Sequence, residues 1–182
     1  MMSMHKVFFF AVFAVFSVLL QLVFIGSPEY LLSLDPIRIG ISAVISTLLF
    51  LVADIVNERF GFKATLLMIM LGILAQAAAI VGAHFVGVHI EFSLAVFGIF
   101  GILSGEITDA TIYALMRRFT GERFLLLRTF VSTTAALFIE GATLLYAAPA
   151  LVLIAPQFTW KFLASLVNLP IVYFFRKNLF GK

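Results

Sequence analysis

The stretch 41–63 reads ISAVISTLLFLVADIVNERFGFK, and it decides the fold class because it joins a long apolar run to a short charged turn. With the residues before it, the apolar run supplies about the 20 residues that a membrane-spanning helix needs. Gly61 allows the chain to reverse, and Arg59 and Lys63 flank that reversal. The stretch therefore predicts a transmembrane span followed by a tight turn into the next span.

Apolar segments of this kind recur along all 182 residues, of which 63% are hydrophobic and 12% are charged. A soluble domain is nearer half apolar and a quarter charged. The apolar runs are continuous and do not alternate, which favours helices over a membrane barrel. We therefore predict an all-α integral membrane protein, a single six-helix transmembrane domain over residues 1–182. Its spans are expected at about 7–26, 36–57, 64–84, 91–116, 125–147 and 159–176.

Basic residues are distributed unevenly between the two sides of this predicted bundle. Only Arg38 and Lys161 of the 12 Lys and Arg residues fall on one side, and the others fall on the opposite side. Because Lys and Arg are enriched in cytoplasmic turns, we expect both termini to be cytoplasmic and the protein to be multi-pass in the cell (inner) membrane. This distribution accounts for the net charge of +3, so no nucleic-acid partner is predicted.

Acidic residues inside the predicted spans are the first candidates for function, because an ionisable group at the bilayer centre costs about 2.5–3.5 kcal/mol. Asp54 and Glu58 are spaced to share one helix face, and so are Glu106 and Asp109. An ion-pair network between helix ends is one explanation for them, and a role in function is the other. We expect Glu58 to pair with a nearby basic residue, and Asp54 to face the bundle near Asp109.

The fifth predicted span carries a second set of candidates on one slanting face. Arg128, Ser132, Ala136 and Glu140 follow one another at intervals of four residues. Glu140 lies roughly 12 Å from the outer end of the span at 1.5 Å per residue, too deep for a short side chain to reach water easily. Lys161 opens the sixth span from the same side, so we predict a Glu140–Lys161 ion pair.

Enzyme signatures are missing from the sequence. It contains no metal-ligand cluster of His and Cys, no nucleophile elbow and no glycine-rich phosphate loop. We therefore predict neither an enzyme nor a cofactor.

Four stretches together resemble the family of queuosine-precursor transporters, also called the vitamin uptake transporter family. They are FLVADIVNERFG (50–61), EITDATIYALMRR (106–118), LRTFVSTTAALFIEG (127–141) and WKFLASLVNLPIVY (160–173). The resemblance covers residues 50–182 best and agrees with six spans. One departure is Glu140, because the family commonly has Asp at this position.

This resemblance implies import of a 7-deazaguanine base, namely queuine, preQ1 or preQ0. Such a base presents neighbouring N–H donors on its Watson–Crick edge, and a carboxylate offers two acceptor oxygens to them. The expected partners are this purine-like base and the lipid bilayer, and a homo-oligomer is left open. The substrate-binding candidates are Glu140, Asp109, Lys161, Asn168 and Ser132. The candidates for a gate or for proton coupling are Asp54, Glu58 and Arg128.

An alternative is the substrate-binding S-component of an energy-coupling vitamin importer, which also has six spans. Such subunits typically carry two small residues with three positions between them on the first span. Ala11 and Ala14 have only two positions between them, so this motif is missing. A membrane enzyme or a purely structural membrane protein is a third class, and the buried acids argue against the structural version.

Overall fold

The computed structural model describes residues 4–25, 36–88, 92–121 and 123–147, and most positions between 158 and 174. The positions described in this last part are 158–159, 161–163, 165–168, 170–171 and 173–174, all of them helical. We call them the C-terminal segment. The helices with defined bounds are α1 (Met4–Ile25), α2 (Pro36–Phe60), α3 (Phe62–Phe85), α4 (Phe92–Thr120) and α5 (Leu125–Ala147).

The all-α fold class is confirmed, since the described residues contain helices and turns and no strand. Each of the five helices includes a stretch that is long and apolar enough to cross a membrane. Their bounds differ from the predicted spans by a few residues, most at α4, which continues to Thr120. The sixth predicted span, 159–176, falls on the C-terminal segment and partly outside the described residues, so it stays a prediction.

Large apolar side chains cover the outside of the bundle. Phe8, Leu74 and Phe138 are each at least 60% exposed, and further exposed apolar residues lie near them on the same helices. Soluble monomers rarely expose contiguous apolar surface of this kind. The exposed surface is therefore suited to lipid.

Helix α2 lies at the centre of the bundle. Every residue from 51 to 57 is buried, including Asp54 and Asn57. A polar group on such a helix must find its partner inside the protein, because neither water nor lipid reaches it. Asn57 does so by donating from Nδ2 to the Ala110 carbonyl of α4 at 2.9 Å.

A single residue connects α2 to α3. Gly61 has φ +82°, a conformation that residues with a Cβ rarely adopt. Its carbonyl accepts the first free N–H groups of α3, those of Ala64 at 3.1 Å and Thr65 at 3.3 Å. The predicted tight turn at Gly61 is thus confirmed.

Helices α1 and α3 run in the same direction and touch closely. The rings of Phe9 and Phe60 are 6.5 Å apart, which places the start of α1 beside the start of α3. Ten residues further along α3, Gly72 packs against Phe13 and Ser17 of α1. A small residue at this position lets the two backbones approach, as is typical of helix contacts in membranes.

Replacing Gly72 with alanine is expected to destabilise this contact. The new Cβ would lie 2.5 Å from a Phe13 ring atom and 2.8 Å from the Ser17 hydroxyl. Phe13 is 2% exposed and has no space to move into, so we expect a loss of about 1–3 kcal/mol. Thermal unfolding of the purified protein in detergent measures this loss.

Gly82→Ala in the same helix is the control, because nothing lies within 4 Å of its new Cβ. Equal melting temperatures for both variants would contradict the expectation.

Candidate functional site

A buried ion pair joins α5 to the C-terminal segment. The Lys161 ammonium donates to Glu140 Oε1 at 2.5 Å, and both residues are 4% exposed. The predicted pair is therefore confirmed as a contact. The second oxygen, Glu140 Oε2, has no hydrogen-bond partner in the described part of the chain. This carboxylate thus keeps acceptor capacity in the bundle interior.

Helix α4 comes very close to this pair. A Cβ on Gly105 would lie 3.2 Å from the Glu140 Cβ and 3.5 Å from the Ala136 carbonyl. The next residue, Glu106, is 1% exposed and lies within electrostatic range of Glu140 and Lys161. Lys161 therefore contacts one glutamate and lies in the electrostatic field of a second.

The stripe predicted on α5 is buried along its whole length. Arg128, Ser132 and Ala136 are 0% exposed and Glu140 is 4% exposed. The Ser132 hydroxyl donates to the Thr129 carbonyl at 3.2 Å. This back-bond leaves the Ser132 oxygen available as an acceptor inside the bundle.

Asp54 of α2 and Asp109 of α4 face each other, as expected from the sequence. Both are at most 1% exposed, and each carboxylate lies in the field of the other. Asp109 Oδ1 accepts a hydrogen bond from the Thr133 hydroxyl at 3.2 Å. Neither oxygen of Asp54 makes a hydrogen bond of normal geometry with the residues that the structure describes, although the Thr129 hydroxyl and the Asp109 carboxyl lie beside it. Such a group is costly to bury unless something else satisfies it.

A cavity of ≈10 Å³ lies beside the Asp54 carboxylate. It is enclosed by α2, α5 and the C-terminal segment, and its polar lining consists of Asp54, Thr129, Thr133, Ser165 and Asn168. This volume is enough for about one water molecule and far too small for a purine base. Asn168, a predicted substrate-binding residue, donates from Nδ2 to the Thr47 carbonyl at 2.8 Å.

At the end of the bundle nearest to Gly61, Glu58 is held by two arginines. Its Oε2 accepts from Arg128 Nη2 at 3.1 Å and lies 3.8 Å from Arg117 Nε. The Tyr113 hydroxyl donates to the same oxygen at 2.8 Å. Arg128 also donates to the Gly121 carbonyl and lies over the Tyr113 ring at 5.3 Å. The expectation that Glu58 pairs with a basic residue is confirmed.

Sequence reasoning missed two glutamines between α1 and α3. Gln21 and Gln76 are 0% exposed, and their amide atoms lack hydrogen-bond partners in the described ranges. Because Ser17 and Gly72 are in contact in this parallel pair, the two glutamines lie at one level, four residues further along each helix. The signal was present in the sequence, because each is the single amide side chain in an otherwise apolar stretch of its helix.

The buried charges do not balance within the described residues. Lys161 pairs with Glu140, and Arg128 pairs with Glu58. The carboxylates of Asp54, Glu106 and Asp109 have no ion-pair partner in this part of the chain and are all at most 1% exposed. An excess of buried acid in the interior of a membrane bundle is typical of a path for a solute or an ion.

Comparison with known proteins agrees with this picture. Residues 40–175, well over half of the chain, match the family described as "Putative vitamin uptake transporter". No curated protein and no solved structure matches the chain. The matched range contains every buried acid and base described above. The chain therefore belongs to the vitamin uptake transporter family, and it is a multi-pass membrane protein of a transporter family.

Proposed function

We propose that this protein imports a queuosine precursor, a 7-deazaguanine base such as queuine, preQ1 or preQ0. The observation that carries the proposal is the buried Glu140–Lys161 pair, whose second carboxylate oxygen is unpartnered among the described residues. The sequence stretches that resemble queuosine-precursor transporters include both members of this pair.

The chemistry of the pair is complementary to one edge of such a base. A guanine-like edge presents the N1–H and N2–H₂ donors next to the O6 acceptor. Glu140 supplies two acceptor oxygens, and the Lys161 ammonium supplies donors. A base that enters between α5 and the C-terminal segment would take over the hydrogen bonds that the pair now makes internally. Ser132 and Asp109 lie deeper along the same path as further acceptors, with Asn168 as a further donor.

Transport also requires the helices to move. The cavity beside Asp54 has ≈10 Å³, so a base passes only after α5 or the C-terminal segment separates from α2. Asp54, Glu58 and Arg128 then form a gate at the end of the path nearest to Gly61. Opening of this gate breaks the 3.1 Å contact between Glu58 and Arg128. Such alternating opening on two sides of a central site is how secondary transporters work.

The basic turns support a cytoplasmic position for this gate. Arg59, Lys63 and Arg117 lie at the Gly61 end of the bundle, and Lys161 lies near the opposite end. By the positive-inside rule both termini face the cytoplasm of a cell (inner) membrane. Substrate therefore reaches Glu140 from outside and leaves past Glu58.

Binding of purified protein to queuine, preQ1 and preQ0 tests the substrate class, with guanine and adenine as controls. We expect at least one 7-deazaguanine to bind about tenfold or more tightly than adenine, because adenine lacks the N1–H and N2–H₂ donor pair. Equal affinity for adenine would overturn recognition through Glu140, and equal affinity for guanine would overturn the 7-deazaguanine assignment. Uptake that requires a separate ATPase module would favour the S-component alternative.

A further inference from the structure

The cavity beside Asp54 is lined by Phe50, Leu51 and Phe130 on its apolar side and by five oxygen-bearing side chains on its polar side. We propose that the polar side binds a sodium ion. The polar lining residues are Asp54 of α2, Thr129 and Thr133 of α5, and Ser165 and Asn168 of the C-terminal segment. Carboxylate, hydroxyl and amide oxygens are the ligands that hard cations prefer. The cavity volume of ≈10 Å³ is enough for one ion without its water shell.

The hydrogen-bond pattern leaves acceptors in this cavity. The Thr133 hydroxyl donates to Asp109 at 3.2 Å, the Ser165 hydroxyl donates to the Phe162 carbonyl at 2.7 Å, and Asn168 Nδ2 donates to the Thr47 carbonyl at 2.8 Å. The Thr133 and Ser165 hydroxyl hydrogens are engaged elsewhere, so both hydroxyl oxygens keep lone pairs for an ion. Asn168 Oδ1 is an acceptor whatever Nδ2 donates to. The carboxylate oxygens of Asp54 and the Thr129 hydroxyl lie close together but make no hydrogen bond of normal geometry in the described residues.

The charge around the cavity also favours a bound cation. Asp54 and Asp109 are neighbouring carboxylates at most 1% exposed, and the buried cations nearest in the described bundle are paired with other acids. A proton on Asp54 would remove one charge, but it would need neither a cavity nor five oxygen-bearing side chains. The cavity and its lining are what distinguishes a metal-ion site from a protonated carboxyl group.

Occupancy of this cavity would affect the substrate site through the C-terminal segment. Ser165 is one helical turn from Lys161, and Asn168 is about two turns from it. An ion that bridges Asp54 to Ser165 and Asn168 fixes the segment that carries Lys161 against α2. Sodium binding thereby stabilises the Glu140–Lys161 pair, and only the effect of this on the substrate rests on the proposed function.

Sodium titration of the purified protein in detergent tests the site without any base present. Choline chloride keeps the ionic strength constant, and the readouts are the melting temperature and binding of radioactive sodium. We expect saturable stabilisation of the wild type by Na⁺. Asp54→Asn should abolish this stabilisation. Thr129→Val should weaken sodium binding, so that the half-saturating Na⁺ concentration rises about tenfold.

Thr47→Val is the matched control, because Thr47 is equally buried but its hydroxyl donates to the Ala43 carbonyl outside the cavity. This variant should respond to Na⁺ like the wild type. Absence of a sodium response in the wild type, or an unchanged response in Asp54→Asn, overturns the proposal. Uptake that depends on pH but not on Na⁺ would overturn it in favour of a proton. Sodium binding without uptake of any 7-deazaguanine would support this site and refute only the substrate assignment.

Discussion

Glu140→Gln is expected to abolish uptake and to destabilise the folded protein by about 3–5 kcal/mol, the usual cost of leaving one member of a buried ion pair without its partner. The stranded group is the Lys161 ammonium, which is 4% exposed and lies 2.5 Å from Glu140 Oε1. The melting temperature in detergent measures the stability loss, and uptake of labelled base by cells measures transport. Transport is normalised to the amount of protein in the membrane.

The double variant Glu140→Gln/Lys161→Met separates folding from function. It removes both charges, so it should recover most of the lost stability, because replacing a complete buried pair by neutral residues is often nearly neutral. Uptake should stay absent, since the Lys161 donor is gone and the new glutamine side chain presents an NH₂ group where the carboxylate had its second acceptor oxygen. A double variant that transports at the wild-type rate would refute the assignment of this pair to the substrate. Glu140→Asp keeps the charge and is expected to fold and to retain part of the transport.

Arg128→Met is the second change with a large expected effect, a loss of about 3 kcal/mol or more in the free energy of unfolding. Arg128 is 0% exposed and holds three groups together: the Glu58 carboxylate at 3.1 Å, the Gly121 carbonyl and the face of the Tyr113 ring. Methionine fills similar space but supplies none of the donors. Thermal unfolding in detergent measures the effect.

Arg118→Met provides the matched control for Arg128→Met, since Arg118 is an exposed arginine near the same turn. Its melting temperature should change little, as is usual for surface charges. Adding Glu58→Gln to Arg128→Met should recover part of the stability, because it removes the buried charge whose closest cation, Arg128 at 3.1 Å, has been replaced. A similar loss in both single arginine variants would show that Arg128 does not hold this end of the bundle together.

Much of the fold could be predicted because each transmembrane helix is specified locally. A run of about 20 apolar residues predicts a span whatever its neighbours are, and five such runs are helices here. The Glu140–Lys161 contact could also be predicted, since only one basic residue opens the next span from the same side. Asp54 could be placed near Asp109 because both are acids in the cytoplasmic halves of their predicted spans, the second and the fourth.

Contacts that depend on helix packing could not be predicted in the same way. Arg128 is 70 positions from Glu58 along the chain, and helical periodicity does not say which faces of α2 and α5 meet. The cavity beside Asp54 combines α2 with Ser165 and Asn168 for the same reason. Spacing identifies residues that share a face of one helix, whereas the partner of that face is decided by side-chain packing across the bundle.

The single-residue link at Gly61 limits which parts of the molecule can slide past one another. Gly61 has φ +82° and its carbonyl is hydrogen-bonded to the start of α3, so this link allows little relative movement of α2 and α3 at this end. Arg117 of α4 binds to the same end of α2 by donating to the Asn57 and Glu58 carbonyls at 3.0 and 2.9 Å. Helices α2, α3 and α4 are therefore held together at the Gly61 end of the bundle. Relative motion during a transport cycle must open at their far ends or fall to α5 and the C-terminal segment, the two elements that carry Glu140 and Lys161.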